Sequence, residues 1–146
     1  RSVKPDMAVN YARLCAQYVV ARVLQRGELD LSDFSIEALR DEATLALAQR
    51  VEVVEQPDHD PNALTPVTVE IRLADGTRLE RSLDVIYGNP ARPMSAEART
   101  RKLAHCWQHA RLPLAEDGPA RLQSMVDALE ELADVRVLLD LCTACS

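Results

Sequence analysis

Three polar side chains interrupt an otherwise apolar helical run near the start of the chain. Asn10, Arg13 and Gln17 follow an i, i+3, i+7 spacing within MAVNYARLCAQYVVARVLQR, which puts them in one stripe of a helix. An arginine on an apolar helix needs a carboxylate or phosphate partner. Two readings stay open for Arg13: a salt bridge to an acidic residue nearby in the fold, or a carboxylate-binding group facing a cleft. Tyr18 reads as a core tyrosine whose hydroxyl finds one partner.

The remaining reactive residues are more dispersed. His105 and His109 stand one helical turn apart and could both reach one metal, but HxxxH without an adjacent Glu reads first as a solvated helix surface. His59, between Asp58 and Asp60, reads as an exposed loop histidine. Cys142 and Cys145 form a lone CxxC at the C-terminal end, whereas a structural zinc site needs two further ligands at matching spacing. With Cys15 and Cys106 they do not make a disulfide framework, which favours a reducing, cytoplasmic setting. Gly-rich phosphate loops, GxSxG and HExxH do not occur. No metal ligand is assigned.

The elements that must position these residues follow from periodicity and caps. Met7 to Arg26 predicts one long helix, ended by Gly27. Apolar residues cover most of its circumference, so it should be buried on more than one side. A chain of 146 residues can hardly bury it completely, and the chain begins at Arg1 without an initiator methionine. Both points suggest one piece of a larger architecture. Ser35 should cap a short helix to Arg40, and Glu42 to Gln49 another. VEVVE, from Val51 to Glu55, reads as a strand. Val67 to Leu73 and Arg78 to Val85 read as a β-hairpin around Asp75-Gly76, apolar on one face and charged on the other, covering a core on one side. Ser95 should cap a helix from Ala96 to about Arg111, with Leu103, Cys106, Trp107 and Ala110 on its buried side. Pro119 opens a helix to Leu132, and a last one runs from about Val135 to Leu141. Helices segregated from strands predict a single α+β domain over residues 1–146, with a small antiparallel sheet of about three strands.

Composition limits the partners. Hydrophobic residues make up 47% and charged residues 27%, an ordinary globular balance. A net charge of −6, a pI of about 5.1 and 3% aromatics argue against nucleic acid. No apolar run approaches the roughly 20 residues that span a bilayer.

Taken together the pieces resemble the C-terminal part of the MmgE/PrpD family, which includes 2-methylcitrate dehydratase, cis-aconitate decarboxylase and an iminodisuccinate epimerase. Three landmarks carry the resemblance, in the family's order. ARLCAQYVVARVLQRG followed by LDLSDFS is similar to A-K/R-F-S-x-x-Y-x-V-A-x-A-L-x-x-G. RDEATLALAQRVEVVEQP is followed by VTVEIRLADGTRLERSLD. GNPARPMSAEARTRKL is similar to G-x-P-x-x-P-x-S-x-x-E-x-x-x-K-F. The resemblance spans about Asn10 to Ala110.

The resemblance implies the smaller, α+β domain of a longer protein whose helical N-terminal domain this chain lacks, with an active site between the two. It implies proton abstraction next to a carboxylate in a small polycarboxylate, then loss of water or carbon dioxide, or reprotonation, without metal or organic cofactor. By this match Arg13 binds a substrate carboxylate, Gln17 contributes to substrate binding, and Tyr18 hydrogen-bonds the substrate or donates a proton. Cys15 stands where many members have Ser. Gln17 and Tyr18 are similar to the QY of the methylcitrate branch, but Arg13 is not that branch's residue. Lys102 matches the lysine of the third landmark, in a structural role. The chain alone should be catalytically incomplete and should self-associate, as a homodimer, through its first helix. The rival reading is a non-catalytic dimerisation or binding module derived from the same domain.

Overall fold

The computed structural model describes residues 2–55, 60 and 62–143. The chain divides into two compact units, one of Arg1–Val54 with Lys102–Ser146, the other of Glu55–Arg101. The elements are α1 (Val9–Arg13), α2 (Ala16–Arg26), a 3-10 turn (Leu31–Phe34), α3 (Ile36–Leu39), α4 (Glu42–Ala48), β1 (Val67–Arg72), β2 (Arg78–Leu83), α5 (Ala96–Gln108), α6 (Gly118–Asp127), a second 3-10 turn (Leu129–Glu131) and α7 (Val137–Leu141). Helices with one small antiparallel sheet make the fold α+β.

The long first helix is in fact two. Cys15 leaves the helical region at φ −97°, ψ 100° and becomes the N-cap of α2, while Leu14 closes α1. The break collects Met7, Ala12, Cys15 and Tyr18 on one core, together with Leu39. Val3, Val9, Tyr11, Phe34 and Leu45 pack around it. Helix α2 lies against α4, and α1 against α2. Of the apolar residues on this run Ala12 and Ala21 are fully buried, but Leu14 is 65% exposed, and Val23 and Leu24 are exposed as well.

Local caps account for most of the remaining boundaries in this region. Gly27 ends α2 with φ 80°, a left-handed conformation that costs glycine little. Ser35 Oγ accepts from the Ala38 N–H at 3.2 Å, and Asp41 Oδ2 from the Thr44 N–H at 3.1 Å. Asp30 and Asp33 form a reciprocal capping box around the 3-10 turn.

In the unit Glu55–Arg101 the hairpin pairs Val67 with Leu83 through Arg72 with Arg78. The Gly76 N–H donates to the Leu73 carbonyl at 3.1 Å and the Leu73 N–H to the Thr77 carbonyl at 2.9 Å, a three-residue turn. The charged face has Glu70 opposite Glu80, and the repulsion is offset by Arg72 and Arg78, which bridge these carboxylates at 2.6–2.7 Å.

Two expectations about the sheet are corrected. It has two strands, not three, among the described residues: β1 pairs only with β2, and Val51–Glu55 forms no strand. Alternating residues do not make a strand without a neighbour to complete the backbone ladder. Nor is the apolar face of the hairpin buried within its own unit, where Val67, Val69 and Leu79 are exposed by 47%, 41% and 49%. The segment YGNPARPM is held by contacts of its own: Arg92 donates its backbone N–H to the Asn89 carbonyl at 2.8 Å and holds its guanidinium 5.6 Å from the Tyr87 ring centre.

Helix α5 is capped by Ser95, which accepts from the Ala98 N–H at 3.2 Å. Its expected buried side is only half realised, because Leu103 and Trp107 are half-buried while Cys106 and Ala110 are exposed. Trp107 donates its indole N–H to the Ala115 carbonyl at 2.8 Å and lies over Gly118, the first residue of α6.

Candidate functional site

The break between α1 and α2 decides where the polar stripe goes. Asn10 and Arg13 end on α1 and are exposed, while Gln17 lies in the first turn of α2 and is half-buried. The Cys15 thiol, itself fully buried, donates to Gln17 Oε1 at 3.4 Å. The Arg13 guanidinium stands 5.7 Å from the centre of the Phe34 ring. Among the described residues it has no carboxylate partner, so its charge is held by an aromatic face and solvent.

Two neighbouring arginines behave differently. Arg22 binds Asp33 through Nε at 2.8 Å and a terminal nitrogen at 2.5 Å, and Arg26 binds Asp33 at 2.6 Å and Asp30 at 3.1 Å. Arg22 also donates to the Thr44 hydroxyl at 3.2 Å, which is bonded in turn to Asp41. Asp33 is fully buried. Burial pushes its carboxyl upward, but the Asp30 N–H and the two guanidiniums outweigh that and hold it below the ordinary carboxylate range. Bonding to the Ser32 hydroxyl, with Arg26 adding its charge, brings Asp30 down to about 2. The salt bridge that was one reading of Arg13 is therefore made by Arg22 and Arg26.

Tyr18 is fully buried, and its phenol donates to the backbone carbonyl of Asp33 at 2.6 Å. Burial raises its pKa, against the opposing pull of Arg22, so the phenol stays protonated. Its ring meets Phe34 at 6.1 Å with a 48° tilt. Arg13 and Tyr18 thus touch the same ring from the surface and from the core. Phe34 was part of a matched landmark, yet nothing in its spacing singled it out. The ion network was missed for a similar reason, because Asp30 and Asp33 lie in the LDLSDFS landmark with no spacing that names their partners. Cys15 carried a usable signal for the helix break, since the serine common at that position in the resembling family is a strong N-cap residue.

The other candidates stay apart. His109 turns Nδ1 back to the His105 carbonyl at 2.8 Å, which directs that nitrogen away from a shared ligand. His59 and Cys145 lie outside the described residues, while Cys15, Cys106 and Cys142 are free thiols. Lys102 is exposed. Among the described residues no group of three or more His, Cys, Asp or Glu side chains is placed to hold a metal ion. A groove of about 370 Å³ runs beside Trp107, lined by Ala104, Leu112, Pro113, Leu114 and Pro119 with Gln108 and Glu116 at its polar side, and it includes none of Arg13, Gln17 and Tyr18. Among the described residues no helix is long and apolar enough to cross a membrane.

The fold and the broken first helix define an α+β domain with an exposed cation beside a buried tyrosine. The description of the MmgE/PrpD C-terminal domain matches residues 3–131, and the chain belongs to that family. No curated protein matches it in sequence.

Proposed function

We propose that this chain is the carboxylate-holding part of a lyase or isomerase that acts on a small polycarboxylate. The reaction class is proton abstraction next to a carboxylate, followed by dehydration, decarboxylation or epimerisation, without a cofactor. The observation that carries the reading is Arg13, an exposed guanidinium with no anionic partner among the described residues, while the nearby Arg22 and Arg26 are both neutralised. Such a group has its bidentate edge available for a carboxylate. Gln17 adds an amide on the next helix. Tyr18 enters as the proton donor: burial keeps its phenol protonated, and transfer requires the hydroxyl to leave the Asp33 carbonyl. The rest of the acid–base machinery comes from a partner domain, so the chain alone is inactive. The free thiols Cys15, Cys106 and Cys142 fit a cytoplasmic setting.

Calorimetric titration with citrate tests this. The chain should bind it weakly, and Arg13→Gln should weaken binding about tenfold or more. Equal affinity in the two proteins would remove Arg13 from the reading. Turnover of a polycarboxylate by the chain alone would show its machinery to be complete.

The second reading is a non-catalytic homodimer module. Exposed Leu14 and Ile36, at 65% and 60%, favour it. Light scattering separates the two: a stable dimer that ignores citrate supports the module.

A further inference from the structure

We infer that Phe34 is the positioning residue for Arg13, and this rests on the reading that Arg13 binds a carboxylate. An exposed arginine samples many rotamers, and ordering it opposes binding. A neutral aromatic face restricts the guanidinium without neutralising it, and leaves its N–H edge free. An aspartate in the same place would hold Arg13 more firmly but would occupy the donors the substrate needs.

Phe34 is itself held from two sides. It ends the 3-10 turn that the Asp30–Asp33 capping box closes. The carbonyl that accepts the Tyr18 phenol at 2.6 Å belongs to the peptide joining Asp33 to Phe34. The Tyr18 ring packs against the Phe34 ring, 6.1 Å away and tilted by 48°. The buried tyrosine therefore fixes the aromatic surface on which the exposed arginine rests, 5.7 Å from its centre. Core and surface are linked through one side chain.

The test is an NMR measurement on the full chain, using the Arg13 side-chain resonances, identified by their loss in Arg13→Gln, and citrate as the probe. In the wild type the Phe34 ring current should shift the Arg13 signals upfield. Phe34→Leu should abolish that shift and weaken citrate binding about two- to fivefold, the range for an exposed cation–π contact. Phe34→Tyr should restore both. An unshifted Arg13 in the wild type, which needs no variant to fold, overturns the inference. So does wild-type citrate affinity in a folded Phe34→Leu protein. A shifted Arg13 in a chain that ignores citrate overturns the carboxylate reading, and the positioning role falls with it.

Discussion

Tyr18 and Asp33 are joined by a 2.6 Å hydrogen bond from the phenol to the backbone carbonyl, with both residues fully buried. The bond ties α2 to the 3-10 turn. Tyr18→Phe keeps the ring and its packing on Phe34 but leaves a buried carbonyl without its donor. Urea unfolding should report a loss of about 1–3 kcal/mol. An unchanged midpoint would mean the phenol contributes nothing to stability and is held there for another purpose.

The carboxylates of Asp33 and Asp30 make the fold acid-sensitive in a defined window. Both have folded pKa values below the ordinary range, so the native state binds protons less readily than the unfolded chain. Their stabilisation is fully present above the unfolded value of about 4 and is lost as pH falls through the folded values, about 2 for Asp30. Unfolding midpoints should fall between about pH 4 and pH 2 and stay level, as far as these groups act, from pH 5 to 7. A profile that is flat through the acid range would contradict the network.

Removing one partner of that network should be more harmful than acid. Asp33→Asn leaves Arg22, whose side chain is only 13% exposed, without its principal anion. The loss should reach about 3–5 kcal/mol at neutral pH, and the acid dependence should flatten in the same protein. Guanidinium melts at pH 7 and pH 3 measure both effects.

Gly118 meets the face of Trp107 closely. A Cβ there would fall 1.9 Å from Trp107 Cζ2, and the indole is tied to the Ala115 carbonyl. Gly118→Ala should cost about 1–3 kcal/mol through overpacking. Trp107 is the single tryptophan of the chain, so its fluorescence reports the displacement directly.

The apolar face of the hairpin should tolerate charge if nothing covers it. Leu79 is 49% exposed, and Leu79→Lys should change stability by no more than about 0.5 kcal/mol. A larger loss that grows with protein concentration would show that a second copy covers this face.

Local rules were well read. Gly27, Ser35, Ser95, Pro119 and the Asp75-Gly76 turn stand where their own conformational preferences put them, because caps and turns depend on a few adjacent residues. The family was legible for the same reason, through landmarks that are contiguous in sequence. Of the candidate site, Arg13, Gln17 and Tyr18 could be named and Tyr18 read as a core tyrosine, but not what each one touches.

The sequence by itself determined an acidic α+β domain, its β-hairpin and most of its helices, and the residue types available for holding a carboxylate. Tertiary structure decided the rest. It broke the first helix at Leu14–Cys15, where Ala12, Cys15 and Tyr18 come together on one core. It left Val51–Glu55 unpaired, since a strand exists only through its neighbour. It gave the carboxylates of Asp30 and Asp33 to Arg22 and Arg26 and left Arg13 on the ring of Phe34. Partners such as Arg22 and Asp33, or Arg13 and Phe34, meet across a turn whose path no spacing rule encodes, so only the folded chain could assign them.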